Sequence, residues 1–133
     1  MDSMVMLVDD DVDFRTLVGE ALAADGIQSL QAGSGEECLQ NVRNGFRGVI
    51  LLDITMTGMD GWETLDIMAK EGLTSGNSIC MLTSRETPPK KAEHLEPFVS
   101  GYIIKSGSFS TIVDKVREYL ELMGLPTSQT RAD

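Results

Sequence analysis

Val5-Met6-Leu7-Val8-Asp9-Asp10-Asp11 sets four apolar residues directly against three acids near the start of the chain. A run that is apolar at every position, and not at alternate ones, suits a strand covered on both faces, as in a parallel sheet. Just downstream, Phe14, Leu17, Val18, Ala21 and Leu22 recur at helical spacing and predict a stripe facing the core. The same strand-then-helix unit repeats. Further apolar runs stand at Ile27 to Ala32, Val49 to Leu52, Ile79 to Leu82 and Tyr102 to Ile104, and Ile112, Val113, Val116, Leu120 and Met123 form the last helical stripe.

The punctuation between these runs agrees. Ser34 with Glu37 and Asp60 with Glu63 have the spacing of helix N-terminal capping boxes, while Gly26, Gly45, Gly72 and Gly124 stand where four helices should stop. Pro126 bars any continuation of the last helix. Five β-α units joined by right-handed crossovers predict an α/β fold: a doubly wound, flavodoxin-like three-layer sandwich about a five-stranded parallel sheet of order 2-1-3-4-5. The weakest element is the fourth helix, where Pro88, Pro89 and Pro97 bracket Lys90 to Glu96 and leave room for about two turns. One domain is expected over residues 1–125, with residues 126–133 as a short flexible tail.

Composition narrows the function classes. A chain of 133 residues, 41% hydrophobic, supports one core. Its net charge of -10 opposes attraction to nucleic acid or to an anionic membrane. No apolar run approaches the ~18 to 20 residues that span a bilayer, and Met1-Asp2-Ser3-Met4 lacks the basic start of a signal peptide, so a cytoplasmic location is expected. Cys38 and Cys80 have no metal-type spacing and read as reduced core residues. His94 has no ligand partner at metal spacing and reads as an exposed helix residue. Trp62 and the methionines read as packing.

In an open parallel sheet, ligands gather beyond the carboxyl ends of the strands, where the strand order reverses. Asp9, Asp10 and Asp11 follow the first run, Asp53 the third, Thr83 and Ser84 the fourth, and Lys105 the fifth. Carboxylates crowded together raise one another's pKa unless a cation is present. A hard divalent ion resolves the conflict, and Mg²⁺ takes oxygen ligands while keeping several waters. Asp53 can then act as a nucleophile toward phosphorus, with Lys105 and the Thr83 hydroxyl serving the oxygens of the arriving group. The plainer readings are a helix cap for the acids, which needs only one of them and falls to Asp11 or Asp13, and a solvated surface charge for Lys105. For Thr83 and Ser84 the plainer reading is loop hydroxyls that satisfy backbone; Thr83 is favoured as the switch over that reading, and Ser84 is taken as packing.

Five motifs, Leu7-Val8-Asp9-Asp10-Asp11, Leu51-Leu52-Asp53-Ile54-Thr55-Met56, Met59-Asp60-Gly61, Leu82-Thr83-Ser84 and Tyr102-Ile103-Ile104-Lys105, occur in order, each tied to a strand. With intervals of 43 residues from Asp10 to Asp53, 30 to Thr83 and 22 to Lys105, the chain resembles the CheY-like response-regulator receiver domains of two-component systems over residues 4 to 123. The resemblance implies a phosphoacceptor switch that is not a conventional enzyme. Asp9, Asp10 and Asp53 would hold Mg²⁺ with the Thr55 carbonyl, and Asp53 would be phosphorylated by a sensor histidine kinase or phosphotransfer protein. Thr83 and Tyr102 would report the change to a downstream protein through the face made by the fourth helix, fifth strand and fifth helix. A monomer or weak homodimer is expected. With too little chain after Gly124 for an effector domain, the output is expected to be protein binding or onward phosphotransfer.

Two positions depart from the family's usual pattern. Thr57 replaces a proline after the phosphoacceptor, restoring a backbone donor and loosening one φ angle. Ser106 replaces a proline after Lys105, and since a cis bond before a non-proline residue costs roughly 2.5 to 4 kcal/mol, a trans peptide is predicted. Two other functions fit parts of the pattern. A Mg²⁺-dependent phosphohydrolase of the haloacid-dehalogenase type would need a second acid two residues after the nucleophile, where this chain has Thr55. A receiver that docks without being phosphorylated would not need the intact acids, Thr83 and Lys105.

Overall fold

Two strands that are buried at every position, β1 (Val5–Val8) and β3 (Val49–Asp53), lie side by side in parallel, Val8 level with Leu52. The computed structural model describes residues 4–84 and 90–127. It adds β2 (Leu30–Ala32), β4 (Ser78–Thr83) and β5 (Gly101–Ile104) to give one parallel sheet of order β2-β1-β3-β4-β5, as the strand pattern predicts. Helices α1 (Val12–Ala24), α2 (Gly35–Arg43), α3 (Gly61–Lys70) and α4 (Phe109–Leu122) and a 3₁₀ helix, η1 (Lys90–Phe98), link and cover the strands.

Alternate side chains of each strand point to opposite faces, so the sheet divides the core in two. Leu7, Leu51 and Leu82 meet Val18 and Leu22 of α1 and Ile112 and Val116 of α4. On the other face Met6, Ile50 and Met81 meet Leu39 of α2, Leu65 of α3 and Leu95 of η1. Each such side chain, taken wholly out of water, contributes about 1.5 to 3 kcal/mol. Cys38 and Cys80 belong to these two layers and are free thiols, each pushed up to about 12 by burial, so neither is a ready nucleophile.

The helix signals hold at most positions. Gly26, Gly45, Gly72 and Gly124 follow the four α-helices with φ of +80°, +106°, +71° and +72°, the left-handed geometry that a Cβ disfavours. Asp60 and Glu63 form a complete capping box on α3. At α2 the Ser34 hydroxyl accepts from Glu37 N–H, but the Glu37 carboxylate turns to Gly33 N–H, so the box is half formed. No cis peptide occurs among the described residues, and Lys105–Ser106 is trans as predicted.

Three expectations need correction. Leu17 is 48% exposed and not part of the core stripe. It lies ~100° around α1 from Val18, outside the arc that the sheet and α4 cover. The Ile27 to Ala32 run is a strand only from Leu30, because Ile27 N–H instead closes α1 by bonding to the Leu22 carbonyl at 2.9 Å. The fourth helix is of 3₁₀ type: Pro97, inside it, has no N–H to donate, and the closing bond is the short-range one from Val99 N–H to the Glu96 carbonyl. Pro88 and Pro89 lie outside the described residues, as does most of the expected tail, residues 128–133.

Candidate functional site

Parallel pairing in register brings the ends of four strands to one rim. Val8 is level with Leu52, Asp53 with Leu82, and Thr83 with Ile104, so the residues that follow these positions meet in space. Asp9 leaves β1 with its N–H on the Ala32 carbonyl at 3.1 Å and is only 1% exposed. Its Oδ1 accepts from Asp11 N–H at 2.9 Å. Asp11 itself caps α1, taking the N–H groups of Asp13 and Phe14 at 3.0 and 3.2 Å, so the cap falls to Asp11 and not to Asp13.

Asp53 closes β3 and is 3% exposed. The Thr55 N–H donates to its Oδ1 at 3.2 Å, which leaves Oδ2 facing Lys105 Nζ at 3.4 Å. Lys105 donates more closely to Asp9 Oδ2, at 2.7 Å, and lies 4.5 Å above the ring of Phe14. Asp10 is exposed, and its Oδ2 accepts from Thr57 N–H at 2.7 Å. Thr83 is buried at the same rim, its carbonyl accepting from Lys105 N–H at 2.9 Å.

Charge is arranged unevenly across this cluster. Burial, and then the neighbouring Asp9 charge, push the Asp53 carboxyl up to about 7, against the pull of Lys105 and Thr55 N–H. The Thr57 N–H holds Asp10 below the usual carboxylate range. Burial works against the Lys105 ammonium, yet its bond to Asp9 and the charges of Asp53 and Asp9 keep it above its ordinary value. Three acids face one amine, and one oxygen from each of Asp9, Asp10 and Asp53 lies within 4.8 Å of the others. A set of hard oxygen donors with surplus negative charge, one of them buried where its charge is disfavoured, fits Mg²⁺.

The predicted site residues do not all gather at this point. Asp9, Asp10, Asp53 and Lys105 converge, with Thr55 and Thr83 on the adjoining backbone. Tyr102 stands apart from the acids. Its ring lies 6.5 Å from Trp62 at 53°, and its hydroxyl donates to the Glu96 carboxylate. Trp62 is buried packing, and His94 is exposed with Asp66 Oδ1 3.4 Å from its Nε2. Three participants escape a reading of the sequence: Phe14 beneath Lys105, Glu96 beside Tyr102, and the Thr57 amide on Asp10. Only the last had a signal, the threonine standing where an imino acid would have no N–H.

Comparison with known proteins gives one result at three levels. A family model for the response regulator receiver domain matches residues 5–117. The chain is 29% identical over 125 residues to the sensor histidine kinase CheAY of Helicobacter pylori, covering 92% of this chain and 16% of that protein. It is 28% identical to the DNA-binding response regulator MtrA of Mycobacterium tuberculosis, covering 90% of this chain and 53% of that protein. The chain thus spans about half or less of the length of these curated relatives. Among solved structures, a CheY-like receiver domain protein from Methanospirillum hungatei superposes with a TM-score of 0.85 at 36% identity, over 90% of this chain and 95% of that one. The response regulator TrrA of Thermotoga maritima, in complex with Mg²⁺ and BeF, gives a TM-score of 0.74 at 27% identity, over 90% and 100% of the two chains.

Proposed function

Because the chain belongs to the response regulator receiver domain family, we propose that it is a phosphoacceptor switch in which Asp53 takes a phosphoryl group from a partner's phosphohistidine. What carries this reading is the placement of a buried carboxylate, Asp53, with one oxygen 3.4 Å from Lys105 Nζ and two further acids beside it. The Asp53 oxygen forms a bond to phosphorus as the bond from phosphorus to the partner's imidazole nitrogen breaks, and the imidazole leaves with the electron pair. Asp9, Asp10, Asp53 and the Thr55 carbonyl would hold Mg²⁺, which supplies neutralising charge at the transferring group.

The chain's own residues do the rest. Lys105 moves its ammonium from Asp9 and Asp53 to a phosphoryl oxygen, and the Thr83 hydroxyl donates to another. Tyr102, released from Glu96 or held by it, reports the change on the surface of η1, β5 and α4, where a downstream protein reads it. The partners are a sensor histidine kinase or phosphotransfer protein and that downstream target. The similar TrrA structure, in complex with Mg²⁺ and BeF, supports the same chemistry here. No helix among the described residues is long and apolar enough to cross a membrane, in keeping with a cytoplasmic setting.

Acetyl phosphate with Mg²⁺ tests the proposal. Intact mass should rise by one phosphate on the wild-type chain and stay unchanged on Asp53→Asn. Equal labelling of both, or none of the wild type, overturns it.

A further inference from the structure

We propose that the backbone amide of Thr57 is a positioning group for the acidic site, holding the Asp10 carboxylate where it can serve a divalent cation. The proposal rests on reading Asp9, Asp10 and Asp53 as a Mg²⁺ site, and adds a residue to it.

Asp10 differs from its two neighbours in one respect: Asp9 and Asp53 are buried, and their rotamers are set by the protein around them, whereas Asp10 is exposed. An exposed carboxylate beside two others is pushed toward solvent, since water screens it there and its neighbours repel it. Yet an oxygen of Asp10 stays within 4.8 Å of the other two acids. The Thr57 N–H is the contact that opposes the repulsion. It donates to Asp10 Oδ2 at 2.7 Å across 47 residues of sequence, a length typical of a bond to a charged acceptor.

The loop that delivers this amide is itself anchored. Met56, one residue earlier, is 7% exposed and sits in the core layer beneath α2 and α3, and Gly58, one residue later, turns the chain with φ +78°. The Thr57 hydroxyl adds to the hold, since it too favours the Asp10 anion. A proline at position 57 would supply neither group. The threonine therefore converts a loop that would only border the site into one that orients a ligand, the role that outer partners of metal ligands commonly have.

Amide NMR of the folded chain during a MgCl₂ titration, following Asp10, Asp53 and Thr55, reads the affinity directly. Wild type should saturate. Thr57→Ala, which keeps the N–H, should bind within about twofold of wild type, and Thr57→Pro should bind about tenfold more weakly, the low end expected for an exposed outer partner. In the absence of metal, hydrogen exchange at the Thr57 amide should be slowed in wild type and should speed up in Asp10→Ala, a readout independent of how well Thr57→Pro folds. Wild type that saturates, with Thr57→Pro equal to it or tighter, overturns the inference and leaves the Mg²⁺ site standing. An exchange rate at Thr57 that ignores Asp10→Ala also overturns it. Wild type that shows no saturable shift removes the Mg²⁺ site and the inference together.

Discussion

The proposed role asks Asp53 to be an anion where burial opposes one. Its carboxyl is raised to about 7, so its folded value exceeds its unfolded value of 3.8. A carboxyl raised in this way contributes its stability below the unfolded value and loses it as pH rises through the folded one. Without metal, the chain should therefore lose stability between about pH 4 and pH 7 through this group, on the order of 4 kcal/mol from a shift of this size. Thermal melts in chelated buffer at pH 5 and pH 8 should show the fall in wild type and a much smaller one in Asp53→Asn. A wild type that melts identically at both pH values would contradict the buried-charge account. Asp10 has the opposite sense: its depressed value adds stability above the unfolded value, because its partner is an N–H and not another acid.

At the scale of elements, the start of α3 presses on the exit of β3. A Cβ on Gly61 would stand 2.3 Å from the Asp53 carbonyl oxygen and 2.9 Å from the Ile54 Cα, both backbone atoms that cannot turn aside. Gly61→Ala should therefore cost about 1 to 3 kcal/mol in urea unfolding and, by shifting Asp53, reduce labelling by acetyl phosphate several-fold. The neighbouring Asp60→Ala removes only the cap, so it should cost about 1 kcal/mol with labelling unchanged. Equal labelling of the two variants would separate Gly61 from the site. At the other edge, Tyr102 ties β5 to η1 through Glu96 while its ring meets the lone tryptophan, Trp62. Glu96→Ala should free the ring and change Trp62 fluorescence, whereas Glu96→Gln, which keeps an acceptor, should change it less.

The whole molecule carries a net charge of -10, and among the described residues Asp9, Asp10 and Asp53 crowd at the one rim where the sheet's strands end. Sodium chloride screens the general repulsion, whereas Mg²⁺ also binds. At pH 8, Mg²⁺ at ten times its dissociation constant should add about 1.4 kcal/mol of stability beyond sodium chloride of equal ionic strength. Equal effects of the two salts on the melting temperature would argue against a specific site.

Much of this was legible before any coordinates. Uninterrupted apolar runs, helical stripes, glycines at four helix ends and acids after strands are local patterns, and each depends on residues within a few positions of one another. They determined the strand count, the order of the sheet and the convergence of Asp9, Asp10, Asp53 and Lys105, with Thr83 on the adjoining backbone, since right-handed crossovers leave few ways to join the units. Only the tertiary structure decided that Lys105 lies nearer Asp9 than Asp53, that Leu17 misses the core, that η1 winds as a 3₁₀ helix, and that Thr57 reaches Asp10 and Tyr102 reaches Glu96. Those outcomes turn on ångström distances between side chains and on the arc each neighbour covers, quantities set when segments pack against one another and carried by no run of residues alone.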